Sequence, residues 1–448
     1  MNKERKEFLK SAALLVVPVA MQNLITTAIN SLDVIMLGRV NEIVLAGASL
    51  GNQVYFNMSL FLFGITSGAA VLIAQYWGKK DLDSIKAIFG LGMKLGIAVS
   101  SLFALSAFFI PELLMRIFTD DTEIIRQGEI YLRIVCFSYP FTAVNMIYLN
   151  TMRSMEKVKI ATLAYSISFF VNLIANGVLI FGPLGFPALG AAGAAWGTVI
   201  ARFSESLVIL FYDRKINRTL KFSIKFLVSK NGLLTRDFWK YALPVIINEL
   251  SWGTGISMIT GILGRLGSSV VAANAVAQVA RQLSMIIGFG VAAAAAIEIG
   301  KKIGEGNREG AKDLGRRYAV LSVITGFIGA AVILIALPVM LKFLVLTPDA
   351  AKYLKMMMLV MSYFVIGQSI NSCFVVGIFR AGGDTRFGLF FDLTFMWGIA
   401  ILGGWIAAFV FHAPVTVVYM ILLSDEVLKM PVAYGRYKSY KWLKNVTR

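Results

Sequence analysis

Apolar runs of about 20 residues follow one another along this 448-residue chain, each long enough to cross roughly 30 Å of hydrocarbon as a helix. In lipid the backbone has no water to bond to, so a spanning segment must pair its own N–H and C=O groups internally. The runs therefore predict an all-α integral membrane protein with twelve transmembrane helices. They are placed near 11–36, 44–73, 88–110, 130–152, 160–181, 191–212, 240–263, 270–299, 318–341, 356–379, 387–408 and 414–435. Charged residues make up 15% of the chain, against roughly 25% in soluble domains.

The formal net charge is +18, and its distribution decides what it means. With these helices, 32 of the 43 Lys and Arg residues fall in alternate connections, counting the N-terminal arm and residues 429–448 on one side. The positive-inside rule then places both termini in the cytoplasm. The charge is thus a topology signal, and a nucleic-acid partner is not needed to explain it. Cys136 and Cys373 lie in apolar surroundings and read as small core residues. His412 stands alone in a predicted loop. The N-terminal arm shows no signal-peptide cleavage pattern and leads straight into the first span.

The two halves resemble each other at an offset of 226 residues. Pro18 falls on Pro244, Gly38-Arg39 on Gly264-Arg265, Gly64 on Gly290, Gly78 on Gly304, and Asn52 on Gln278. Arg153 stands opposite Arg380, and Glu249 opposite Asn23. Six helices per half, an even number, make the repeat parallel, one of the two symmetric plans of secondary transporters. The expected organisation is an N-terminal lobe (1–218), a basic cytoplasmic linker (219–235) and a C-terminal lobe (236–448). The linker includes LKFSIKFLV, which suits a short amphipathic surface helix. No G-x-x-x-x-G-K-[ST] loop occurs, so an ion gradient is the expected energy source for rocking the lobes in alternating access.

Asp33, in QNLITTAINSLDVIMLG, is a carboxylate at predicted membrane depth, where an ionisable side chain marks an ion or substrate pathway by default. Asn30 precedes it by three residues; Gln22 and Asn23 lie two to three turns earlier. Asn172 and Asn176 are four apart and share one helix face. A carboxylate with two carboxamides can take a proton or hold a dehydrated sodium ion, and carboxyl groups in apolar surroundings accept protons nearer neutrality. A plain hydrogen bond between helices is the structural alternative.

In the second half Glu249 and Asp392 are at apparent membrane depth, and Asp392 has Arg380 and Lys429 as alternative basic partners. Asp384, in RAGGDTR, reads as a solvated turn or N-cap residue. Arg202 and Glu205 are three apart and suit a structural pair; Gln22, Asn23, Gln278 and Arg281 are candidates to line a cleft.

These residues resemble the multidrug and toxic compound extrusion (MATE) family over essentially the whole chain. The resemblance rests on the 6+6 plan, PVAMQNLITTAINSLDVIMLGRV, AQYWGKKD, FVNLIANGVLIFGPLGFPALGAAGAAWGTVIAR and RAGGDTR. It implies a two-lobed secondary antiporter that expels organic cations and amphipathic compounds in exchange for protons or sodium ions, with no cofactor. It further implies coupling at an acid of helix 1, matched by Asp33, and a polar helix-5 partner set, matched by Asn172 and Asn176, where some members have an Asp at the latter position. A C-terminal cation site of some members is matched by motif at Asp384. Glu249 comes about one turn earlier than the family Glu, and Trp252 takes that place.

The expected setting is the cytoplasmic membrane of a prokaryote, with a monomeric, non-enzymatic protein working on small molecules in the bilayer. A flippase for lipid-linked saccharides is the second reading. It calls for cationic cavity residues to hold a pyrophosphate, and Lys94, Arg202 and Arg281 are the basic residues inside predicted helices. A membrane enzyme or channel lacks a catalytic or filter-like constellation.

Overall fold

A computed structural model describes residues 3–182, 187–221, 223, 226, 232–344 and 346–448. Of the linker segment LKFSIKFLV, most lies outside the described residues. The described chain is helical, without a strand.

The first half comprises α1 (Lys3–Gly38), α2 (Glu42–Lys79), α3 (Leu82–Phe109), the short α4 (Pro111–Arg116), α5 (Thr122–Val135), α6 (Ser138–Ser154), α7 (Lys159–Phe181) and α8 (Ala191–Ile216). The second half repeats the plan with α9 (Gly232–Gly264), α10 (Ser268–Ser284), α11 (Ile286–Gly304), α12 (Arg308–Phe343), α13 (Pro348–Phe379), α14 (Thr385–Phe409), α15 (Val415–Leu422) and α16 (Asp425–Lys438). Each of the twelve predicted spans falls on helix.

Among the described residues eight helices are long and apolar enough to cross a membrane. Two further spans are pairs of helices bent at a short break, α5–α6 by 54° and α10–α11 by 45°. The polar run Asn248–Glu249 and SWGTG dilutes the apolarity of α9, and α15–α16 is interrupted at Leu423–Ser424. Large apolar side chains such as Leu102, Phe109, Ile174 and Ile335 stay exposed on the outside of the helices, the surface that lipid covers. The chain is a multi-pass membrane protein.

Two compact units emerge. One holds residues 21–73 and 81–246; the other holds 1–20, 74–80 and 247–448. Each has its own apolar core: Met58, Leu62, Tyr139 and Ala195 belong to the first, and Met357, Met358, Met361 and Tyr419 to the second. Cys136 and Cys373 are free and buried, and His412 is an exposed loop residue at φ +47.

Repeat-matched glycines show what the sequence symmetry is for. Within the second unit the end of α2 crosses α11, where a Cβ on Gly78 would lie 2.0 Å from the Lys301 carbonyl oxygen. Reciprocally, a Cβ on Gly304 would lie 1.8 Å from the Gln75 carbonyl oxygen. Both approaches are backbone against side-chain-free Cα, the arrangement that small residues permit between membrane helices. Gly304→Ala should therefore force this crossing apart. The expected readout is a clear loss of thermal stability in detergent, whereas Gly435→Ala, with open space around it, should be nearly silent.

Beside that crossing the buried Gln75 amide ties down the chain's last residues. Its Nε2 donates to the Ala381 and Lys444 carbonyl oxygens at 2.7 and 3.1 Å, and its Oε1 accepts from the Val446 N–H at 2.8 Å. Gln75→Ala leaves those three groups without these partners, at about 1–3 kcal/mol for each one left buried and unpaired. Residues 442–448 should then become markedly more sensitive to carboxypeptidase than in the wild type; equal sensitivity would show that the other ties of this segment, among them the buried Trp442 and the Lys444–Asp384 ion pair, suffice to hold it.

Candidate functional site

The site in the first unit is assembled on close helix contact. In α8 the GAAGAAWG run lets α7 approach: a Cβ on Gly193 would meet the Leu179 carbonyl oxygen at 2.3 Å. One on Gly197 would fall 1.9 Å from Asn176 Oδ1. Gly197 thus leaves the space that the Asn176 carboxamide fills. From there Asn176 Nδ2 donates to Asp33 Oδ1 on α1 at 2.5 Å and to Asn172 Oδ1 at 3.2 Å. Asn172 and Asn176 are buried, and Asn176 Oδ1 has no hydrogen-bond partner.

Asp33 opens onto a cavity of roughly 70 Å³. Asn52 and Tyr55 of α2, Tyr131 of α5, Asn172 of α7, and Thr198 and Arg202 of α8 line it as well. Arg202 is within electrostatic range of Asp33 and is itself bound to Glu205 at 2.8 Å. The pair expected as structural is present, and its arginine also forms cavity wall. Carboxylate and carboxamide oxygens facing one small space are donors suited to a proton or a hard monovalent cation.

Sequence reasoning did not single out Tyr55, Tyr131 or Thr198. Asn52 was visible through the repeat, as the partner of Gln278. The Asn30 side chain lies outside the described residues.

Gln22 is buried and fully engaged between helices. It accepts from Arg153 Nη2 at 2.7 Å and donates to the Val158 carbonyl and Thr162 Oγ1. It does not line the Asp33 cavity, and neither does the half-buried Asn23 next to it.

In the second unit the acids have found cations. Glu249 Oε1 is 2.7 Å from Arg380 Nη2. This pair sits 227 residues beyond Gln22–Arg153, so by contact Glu249 matches Gln22 and not Asn23. Asp392 is held by Lys429 at 3.1 Å and by Asn248 Nδ2 at 3.0 Å.

Asp384 corrects the expectation of a solvated turn. It precedes α14 as an N-cap residue, but it makes no capping bond. It is buried between Arg436 and Lys444, each at 2.7 Å, because its turn is packed under the chain's C-terminal segment.

Lys429 needs the same correction. Counted by sequence among the charges flanking the membrane, it is in fact buried within α16. Arg281, at the repeat position of the cavity-lining Tyr55, is also buried. Its Nε donates to Gln278 at 2.7 Å and its Nη1 to Gln368 at 3.4 Å. Neither Arg202 nor Arg281 is thus an unengaged cation of the kind a pyrophosphate-binding cavity requires.

The fold and an intramembrane acid site define a membrane transporter built as a parallel repeat. The MatE family model matches residues 18–178 and again 244–406, two copies at the expected offset. The chain belongs to the MatE family, the MATE multidrug efflux transporters. Among relatives, it is 24% identical to the "Probable multidrug resistance protein YoeA" of Bacillus subtilis (strain 168), over all of this chain and 97% of that one. In structure it is similar to a MOP superfamily transporter from Pyrococcus furiosus, with a TM-score of 0.86 and 16% identity over 96% of this chain and 95% of that one. It is also similar to a MATE protein crystallised in its bent conformation, with a TM-score of 0.85 and 17% identity over 96% of each chain.

Proposed function

We propose that this protein exports organic cations and other amphipathic compounds in exchange for a monovalent cation, a proton or sodium, bound at Asp33. The observation that carries this is a membrane-embedded carboxylate facing a cavity, bonded to one carboxamide and lacking an ion-pair partner within salt-bridge distance among the described residues. One negative charge cannot be balanced by a coupling ion and an organic cation together without excess positive charge in a low-dielectric site. Binding of one therefore expels the other, which is the minimum requirement of an exchanger.

The halves 1–218 and 236–448, joined through the basic linker 219–235, would act as lobes that rock to expose the site to alternate sides. The protein would work as a monomer in the cytoplasmic membrane of a prokaryote with both termini inside. Names of relatives as multidrug resistance proteins support the substrate class.

The test is uptake of a fluorescent organic cation by inside-out vesicles under a proton gradient or a sodium gradient imposed separately. Uptake driven by one of them names the ion. No uptake under either would sink the antiport reading.

A further inference from the structure

The second unit contains a charge imbalance at membrane depth that the Asp33 site does not explain. Asp425 and Glu426 open α16, ten or eleven residues from the start of α15, which is about 15 Å along a helix at 1.5 Å per residue. That is halfway across roughly 30 Å of hydrocarbon.

Lys429 Nζ stands among three carboxylates: Asp425 at 2.8 Å, Asp392 at 3.1 Å and Glu426 at 3.6 Å. The other charged group facing them is Arg281 of α10, within electrostatic range of Glu426 and of Tyr419. Among the described residues, three acids therefore face two cations. One negative charge is left over in a place where an unpaired charge is costly.

The polar atoms around the cluster point the same way. Asn371, buried on α13, donates its Nδ2 to Glu426 Oε2 at 2.7 Å and to the Glu426 carbonyl at 2.6 Å, while its Oδ1 has no partner. Asn248, buried on α9, donates to Asp392, and its Oδ1 is also without a partner. The Tyr419 hydroxyl, buried as well, completes a set of three unpartnered oxygens. Buried polar atoms left unpaired call for an explanation, and a proton on Glu426, whose partner Asn371 has an unpaired Oδ1, adds one donor where these acceptors outnumber donors.

We infer that this cluster is a second ion site, independent of Asp33, which binds one proton on Glu426. A proton fits better than a metal ion because the Lys429 ammonium already occupies the space between the carboxylates. A second full cation there would meet like-charge repulsion, whereas a proton adds to a carboxylate oxygen and needs no coordination shell. Glu426 is the acid farthest from the ammonium. The Asp392 side chain is 25% exposed, so the cluster reaches the surface of its unit and the proton can exchange there. Uptake converts the Glu426 carboxylate to a carboxylic acid and brings the cluster to neutrality.

The test reads the proton directly and needs no transport, so it stands or falls apart from the antiport reading. Infrared difference spectra of the purified full-length protein are recorded across pH in Asp33→Asn, which removes the first site. A protonated-carboxyl stretching band should remain at neutral pH and vanish in Asp33→Asn/Glu426→Gln. In Asp33→Asn/Asp392→Asn, which relieves one negative neighbour, the band should titrate away lower by roughly one pH unit or more. This variant keeps the test alive if Glu426→Gln does not fold.

A band untouched by Glu426→Gln, an unmoved titration in Asp392→Asn, or no such band in Asp33→Asn would each overturn the proposal. Loss of the band when sodium replaces choline at fixed pH would overturn the proton in favour of a metal ion.

Discussion

Asp33→Asn should abolish gradient-driven export while leaving the protein folded and inserted. The substitution is nearly isosteric and keeps an oxygen to accept from Asn176 Nδ2, now at 2.5 Å from Asp33 Oδ1. Among the described residues, it removes the only acid lining the cavity it shares with Tyr55, Tyr131 and Arg202. A neutral amide is easier to hold at membrane depth than a carboxylate, so yield and thermal stability should match or exceed the wild type. Export should fall to that of vesicles without the protein under both gradients. Full export by a well-folded Asp33→Asn would place coupling elsewhere, with the Glu426 cluster the next place to look.

Lys429→Gln should be the most destabilising single change in the second half. It leaves Asp392, Asp425 and Glu426 facing one another with Arg281 as the remaining cation. Removing one partner of a buried ion pair costs about 3–5 kcal/mol, and here one ammonium serves three carboxylates. The expected result is a large drop in melting temperature in detergent and little protein in the membrane. Adding Asp425→Asn should restore much of the loss, because the charge count returns toward balance. A melting temperature unchanged in Lys429→Gln would mean that the acids are already neutral without the ammonium, and one proton could not account for the cluster.

Much of the architecture was legible in the chain because membrane helices are dictated locally. Each span must be apolar over about 20 residues, and the matched Pro, Gly and Arg positions exposed the repeat that the family model also finds twice. Within single helices, spacing also named true neighbours: Asn172 with Asn176 and Arg202 with Glu205. These are three- and four-residue steps along one helical face.

What joins different helices was legible only in part: Asn176 beside Asp33 and Lys429 as one of two partners for Asp392 were on offer, but not the choice between partners. Arg380 could as well have served Asp392 as Glu249, which lies 131 residues away, and nothing in RAGGDTR told that Asp384 would be buried between Arg436 and Lys444. Even Arg202, correctly paired by spacing, could not be assigned to the wall of the Asp33 cavity.

By itself, then, the sequence determined that this is a helical membrane protein of two matched halves with an acid in its first span, since hydrophobicity and periodicity act over one turn or one span at a time. Only the tertiary structure decided which acid faces a cavity and which acids are answered by lysine or arginine. That choice depends on the rotation and depth of each helix against its neighbours, set where glycines such as Gly193 and Gly304 let backbones meet.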